Sequence, residues 1–191
     1  MILPIVAIGD PVLKRVADKI DKDHEGLSDL IENMFETMYK ANGVGLAAPQ
    51  VGKSIRLFIV DASPFAEDGE EGTEKLKNFK KVFINAKIVD ETGEEWGFNE
   101  GCLSIPGIRE EVFRNEKVRI HYYDEKFKEH TESFDGYAAR IIQHEYDHIE
   151  GILFTDLISP LRKRMLKRKI EEITKGEVDV AYKMKFPKKS R

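Results

Sequence analysis

With 191 residues, 41% of them hydrophobic, the chain is long enough for one compact domain with a real core. Its 35% charged content and the lack of any run of roughly 18 apolar residues exclude a membrane-spanning helix. One cysteine, Cys102, excludes an intramolecular disulfide and fits a reducing, cytoplasmic setting, and the net charge of -4 is unevenly spread.

The apolar start, Met1 to Gly9, lacks a basic leader and is broken by Pro4, so it reads as a buried strand and not as a signal peptide. Asp10-Pro11 marks a turn. Leu27 to Ala41 is an amphipathic helix, with Leu27, Leu30, Ile31, Met34, Phe35 and Met38 at helical spacing. Ser28 is a candidate cap for its start, and Gly43 is expected to end it in the left-handed conformation. Ile55 to Val60 reads as a buried strand, and the acidic segment 63–81 as a surface loop. Short strands are expected at Val82–Asn85, Lys87–Val89 and Lys117–Tyr123, and another extended run begins at Thr131. Tyr137 to Glu150 is a helix ended by Gly151, and a last helix covers Pro160 to Lys175. Mixed helices and antiparallel-looking strands without a linker make residues 1–175 a single α+β domain. Residues 176–191 remain as a basic, partly disordered tail. From Leu161 onward there are 12 Lys and Arg against 4 Asp and Glu, which suits an anionic partner or a solubilising end.

Chemistry concentrates in His144-Glu-Tyr-Asp-His148. Histidines at i and i+4 share one helical face, so both imidazoles reach one divalent metal, and Glu145 adjoins the first of them. A catalytic site of this kind keeps three protein ligands and one open position. Downstream candidates for the third ligand are poor. Phe154 stands where a further histidine would follow Gly151, no histidine comes after His148, and Glu171, Glu172 and Glu177 sit in a basic amphipathic segment. Upstream, Cys102 in Glu100-Gly-Cys-Leu-Ser104 offers a thiolate, a strong ligand for zinc or ferrous iron.

Three segments in order resemble the signature motifs of the peptide deformylase family: Gly43-Val-Gly-Leu-Ala-Ala-Pro-Gln50, Glu100-Gly-Cys-Leu-Ser104 and His144-Glu-Tyr-Asp-His148. Ser104-Ile-Pro106 and Gln143 fit as well, and the likeness extends from Gly9-Asp10-Pro11 to the last helix. The resemblance implies an α+β fold with antiparallel strands packed around the central metal-binding helix, flanked by an N-terminal and a C-terminal helix. It implies removal of the formyl group from N-formylmethionyl nascent peptides. Cys102, His144 and His148 would hold one divalent metal per chain, Fe2+ in the cell, with Zn2+, Ni2+ or Co2+ also accepted. Glu145 would be general base and acid, and the Gln50 side chain and Leu103 N–H would stabilise the oxyanion.

Within that resemblance Gly43, Val44 and Gly45 would lie along the substrate. By position, Val44, Phe98, Tyr137 and Ile141 would wall the methionine pocket. Arg140 departs from the family pattern, which favours an apolar residue there, and is expected either to close the pocket rim or to face solvent. The basic C-terminal helix and tail suit a ribosome contact, with no membrane and no DNA as partner. Two rival readings compete with it: a zinc peptidase cutting internal bonds, and a basic-tailed nucleic-acid-binding module with a structural metal. The first lacks its downstream ligand and the second its fourth.

Overall fold

The computed structural model describes residues 1–67, 69 and 71–187. Of the apolar N-terminus only Ile5 and Val6 pair as a strand, β1 (Ile5–Val6). Asp10 then accepts a hydrogen bond from Val12 N–H at 3.0 Å and caps the 3-10 turn Pro11–Lys14, the geometry that Asp-Pro favours. Helix α1 (Leu27–Lys40) buries Met34, Phe35 and Met38 on one face. Its ends differ from the sequence expectation. Gly26 (φ 71) stands at the N-cap and Ser28 lies inside the first turn; at the other end Asn42 (φ 54), not Gly43, takes the left-handed conformation. Asparagine tolerates this because its short polar side chain bonds locally.

Strand β2 (Gly45–Ala47) leads through the 3-10 turn Ala48–Val51 to β3 (Leu57–Asp61), which is buried along its whole length. Alternation explains why. Leu57 and Ile59 pack with Met34, Met38 and Leu46 on the α1 side, whereas Phe58 and Val60 pack with Phe83, Ile120 and Ile142 on the opposite face. Phe58 and Phe83 stack at 4.7 Å between ring centroids, and truncating either buried ring to alanine removes about 3–5 kcal/mol.

The acidic segment is more than a loop: it holds α2 (Ser63–Glu67) and a 3-10 turn, Glu74–Leu76, anchored by buried Leu76. Asp68 and Glu70 of that segment lie outside the described residues. The expected short strands are parts of two long ones, β4 (Lys80–Cys102) and β5 (Ile105–Tyr123), followed by β6 (Glu129–Asp135). Asp90 to Glu95 are exposed, so ladder hydrogen bonds to β5, and no buried face, keep them extended. That is why no alternation marks them in the sequence. The five strands form one antiparallel sheet in the order β2-β3-β4-β5-β6.

Helix α3 (Gly136–Ile149) packs against β2, β3, β5 and β6. Ten of its 14 residues are buried, polar ones included, so those polar groups need internal partners. The helix ends at Gly151 (φ 73), where a β-carbon would meet the Lys14 carbonyl oxygen at 2.7 Å. Helix α4 (Pro160–Thr174) follows, capped by Ser159, whose hydroxyl accepts from Arg162 N–H. Residues beyond α4 return to the body of the molecule. Strand β7 (Met184–Lys185) pairs in parallel with β1, and Met184 and Phe186 pack against the cluster of Val6, Leu166 and Ile173. Residues 188–191 of the expected basic tail lie outside the described residues. Among the described residues no helix is long and apolar enough to cross a membrane.

Candidate metal centre and active site

Cys102 ends β4, just before the Leu103–Ser104 connection to β5, where the strand register shifts between Gly101 and Cys102. Such a bulge re-aims a side chain at the end of a ladder. His144 and His148 come from successive turns of α3, with ring centroids 5.2 Å apart. One ligand atom from each of the three residues lies within 4.8 Å of the others, and Cys102 Sγ is 3.3 Å from His148 Nε2. A thiol and two imidazoles so gathered suit a divalent transition metal. The surroundings fit that use. His148 is 1% exposed, and burial, with His144 and Arg114 nearby, keeps its imidazole well below its ordinary pKa and so neutral, as a ligand must be.

His144 is fixed by Glu100. Its Nδ1 donates to Glu100 Oε1 at 2.7 Å, which leaves Nε2 available to a metal. Glu100, 3% exposed, also accepts from Arg114 Nε at 2.7 Å and from Arg140 Nη1 at 2.9 Å. Burial alone would raise the Glu100 pKa; the bonds from His144 and Arg114 outweigh it and hold the carboxyl far below the usual range. Arg114 continues to Asp147 on α3 at 2.8 Å. Arg140 therefore does not face solvent, and its side chain borders the cleft. It is 2% exposed, donates to the Val112 and Trp96 carbonyls, and lays its guanidinium 4.5 Å from the Trp96 ring centroid.

Beside Cys102, His144 and His148, Gln50 turns its amide into the site. Its Oε1 accepts from Ala47 N–H at 2.9 Å, and Nε2 points to Cys102 Sγ and Ser104 Oγ, at 3.4 and 3.3 Å. Glu145 is buried with no hydrogen-bond partner for Oε2 among the described residues, and burial pushes its carboxyl up to about 7, against the pull of His144. The glycines of the first motif make room for these groups. A β-carbon at Gly43 would meet Leu103 Cδ1 at 2.8 Å, and one at Gly45 would collide with the Glu145 carboxylate.

Gln50, Cys102, His144, Glu145, Gly43 and Gly45 border a cleft of about 750 Å³. Val44, Phe98, Tyr137 and Ile141 line it. Phe65, stacked on Tyr137 at 4.6 Å, lines it too, as do Asp179, Val180 and Tyr182. Sequence reading missed these four. Phe65 lies in a segment that reads as an acidic loop, and the others in a segment that reads as a tail.

The sequence profile of the polypeptide deformylase family matches residues 2–164. The chain belongs to that family. It is 59% identical to the peptide deformylase of Christiangramia forsetii and 56% identical to that of Flavobacterium psychrophilum, over the full length of each pair. Among solved structures it resembles the Legionella pneumophila peptide deformylase at 38% identity, with a TM-score of 0.78 over 93% of this chain and 98% of that one. As a peptide deformylase it is a hydrolase of protein biosynthesis that removes the N-terminal formyl group from newly made proteins.

Proposed function

We propose that Cys102, His144 and His148 hold one divalent metal ion, ferrous in the cell, and that the surrounding side chains carry out deformylation around it. Convergence of the thiol and both imidazoles within 4.8 Å, beside the Glu145 carboxyl, is the observation that carries this reading. When bound, the metal supplies Lewis acidity and makes water a usable nucleophile near neutral pH. Glu145 takes a proton from the attacking water as the C–O bond to the formyl carbon forms. The same carboxyl then gives that proton to the nitrogen as the C–N bond breaks, so the peptide leaves as an amine and the formyl group as formic acid, which gives up its remaining proton to become formate. Gln50 Nε2 and the Leu103 N–H donate to the developing oxyanion.

The methionine side chain enters the apolar wall of Val44, Phe98, Tyr137 and Ile141, and the peptide runs past Gly43 and Gly45. In this reading the helix bearing His144 and His148 is the centre around which the antiparallel strands pack. Exposed Leu161 and Met165 among the basic residues of α4 support a ribosome contact, and the lone thiol supports a cytoplasmic location.

Metal analysis of protein purified without oxygen, paired with formate release from a formyl-Met peptide, tests the assignment. Replacing Cys102, His144 or His148 by alanine should release the metal and abolish turnover; full occupancy in Cys102→Ala would overturn the ligand set. For metal identity, iron-loaded enzyme should lose activity in air with oxidation at Cys102, whereas nickel- or cobalt-loaded enzyme should persist. Equal decay of all forms with Cys102 unmodified would contradict iron as the source.

A further inference from the structure

The segment after α4 reaches the cleft and touches its most constrained corner. Leu103 and Ser104 form the two-residue connection between β4 and β5, next to Cys102. Three contacts from distant parts of the chain hold that corner. Ile8 N–H donates to the Ser104 carbonyl at 2.9 Å, Gln50 Nε2 donates to Ser104 Oγ, and the Tyr182 hydroxyl donates to the Leu103 carbonyl at 2.7 Å. Tyr182 is itself placed by its neighbours: two residues on, β7 is fixed to β1, and its ring packs into the cluster that contains Leu103.

We propose that Tyr182 is a positioning residue for deformylation: by anchoring the Leu103 carbonyl it holds the Leu103 N–H toward the oxyanion. This rests on the reading of that N–H as an oxyanion donor. In so short a connection φ and ψ of Leu103 tie its N–H to its carbonyl, so a fixed carbonyl limits the swing of the donor. A donor pre-aimed in the ground state needs no reorganisation when negative charge develops. The residues past α4 are thereby part of the active site and not an appendage. Burial pushes the Tyr182 hydroxyl up to about 12, with the Cys102 sulfur adding to the effect, so at neutral pH the phenol stays a donor.

Tyr182→Phe in the full, metal-loaded chain removes the hydroxyl and keeps the ring. We expect kcat to fall roughly threefold to tenfold, the size of one lost hydrogen bond, with KM and metal content unchanged and Tm lower by only about 2–4 °C. Amide exchange at Leu103, followed by NMR on the same protein, should accelerate. Unchanged exchange overturns the positioning role itself. Faster exchange with unchanged kcat overturns the catalytic consequence and removes the donor role from Leu103. A loss confined to KM or to Tm also contradicts the proposal.

Discussion

The Glu145 carboxylate occupies the space that a β-carbon on Gly45 would need: Oε1 lies 2.5 Å and Cγ 2.7 Å from that position. The first motif therefore serves the third. Gly45, fixed in β2 opposite Val60, is a wall against which the buried carboxyl is set. Gly45→Ala should displace Glu145 without touching a metal ligand. An ångström of misplacement lowers kcat by about 100-fold, so we expect about 10- to 100-fold here, with metal content intact. Steady-state kinetics beside metal analysis will show this; a normal kcat would mean that the carboxyl tolerates the shift.

Glu100 joins the second motif to the third through His144, and two guanidiniums compensate its buried charge. Glu100→Gln keeps the shape and removes the charge, leaving Arg114 and Arg140 buried and underpaired. Breaking a buried ion pair in this way destabilises by about 3–5 kcal/mol. Loss of the carboxylate behind a ligand histidine weakens metal binding by about 10- to 100-fold. Denaturant unfolding and a metal competition assay measure the two effects separately. Arg140→Leu should be milder in metal binding, because Arg114 and His144 still hold Glu100; equal effects would make Arg140 the dominant partner.

Burial sets the Glu145 carboxyl near 7 against the pull of His144, and a cation at the proposed site would favour the anion in place of that pull. A general base acts as the anion, so kcat/KM should fall as pH drops through this pKa, with the acid limb at or below about 7. A pH profile on metal-saturated enzyme checks the sign. Activity that rises with falling pH in that range would exclude Glu145 as base.

Asp61, at the end of β3, gives stability its own acid limb. Burial raises its pKa, but the Ser63 and Tyr39 hydroxyls, the Ser63 N–H and Lys80 outweigh that and hold it below the ordinary value. With the folded pKa depressed, the stabilisation is complete above the unfolded value of about 3.9 and is lost as pH falls through the folded one. Asp61→Asn should flatten that part of the curve of unfolding free energy against pH. An unchanged slope would mean that other carboxylates carry it.

Sequence reading reached furthest where one face or one motif dominates. α1 and α3 announce themselves by helical spacing, β3 by continuous apolar residues, and the clustering of Cys102, His144 and His148 by a lone cysteine and an i, i+4 histidine pair. It failed where backbone pairing acts without a hydrophobic pattern, as at Asp90 to Glu95 of β4. The burial of Arg140 is not legible in the sequence, because a guanidinium on a buried helix face makes sense only once Glu100, Trp96 and Val112 from other strands surround it. Tyr182 gave no signal either, since its partner is a backbone carbonyl 79 positions away.

The most direct test is formate release from a formyl-Met peptide by wild-type enzyme and Glu145→Ala, each with its metal content determined. We expect one metal per chain in both proteins, turnover in the first, and a loss of several orders of magnitude in the second, since both proton transfers go with the carboxyl. Near-normal turnover by metal-replete Glu145→Ala, or no formate from metal-replete wild type, would contradict the assignment.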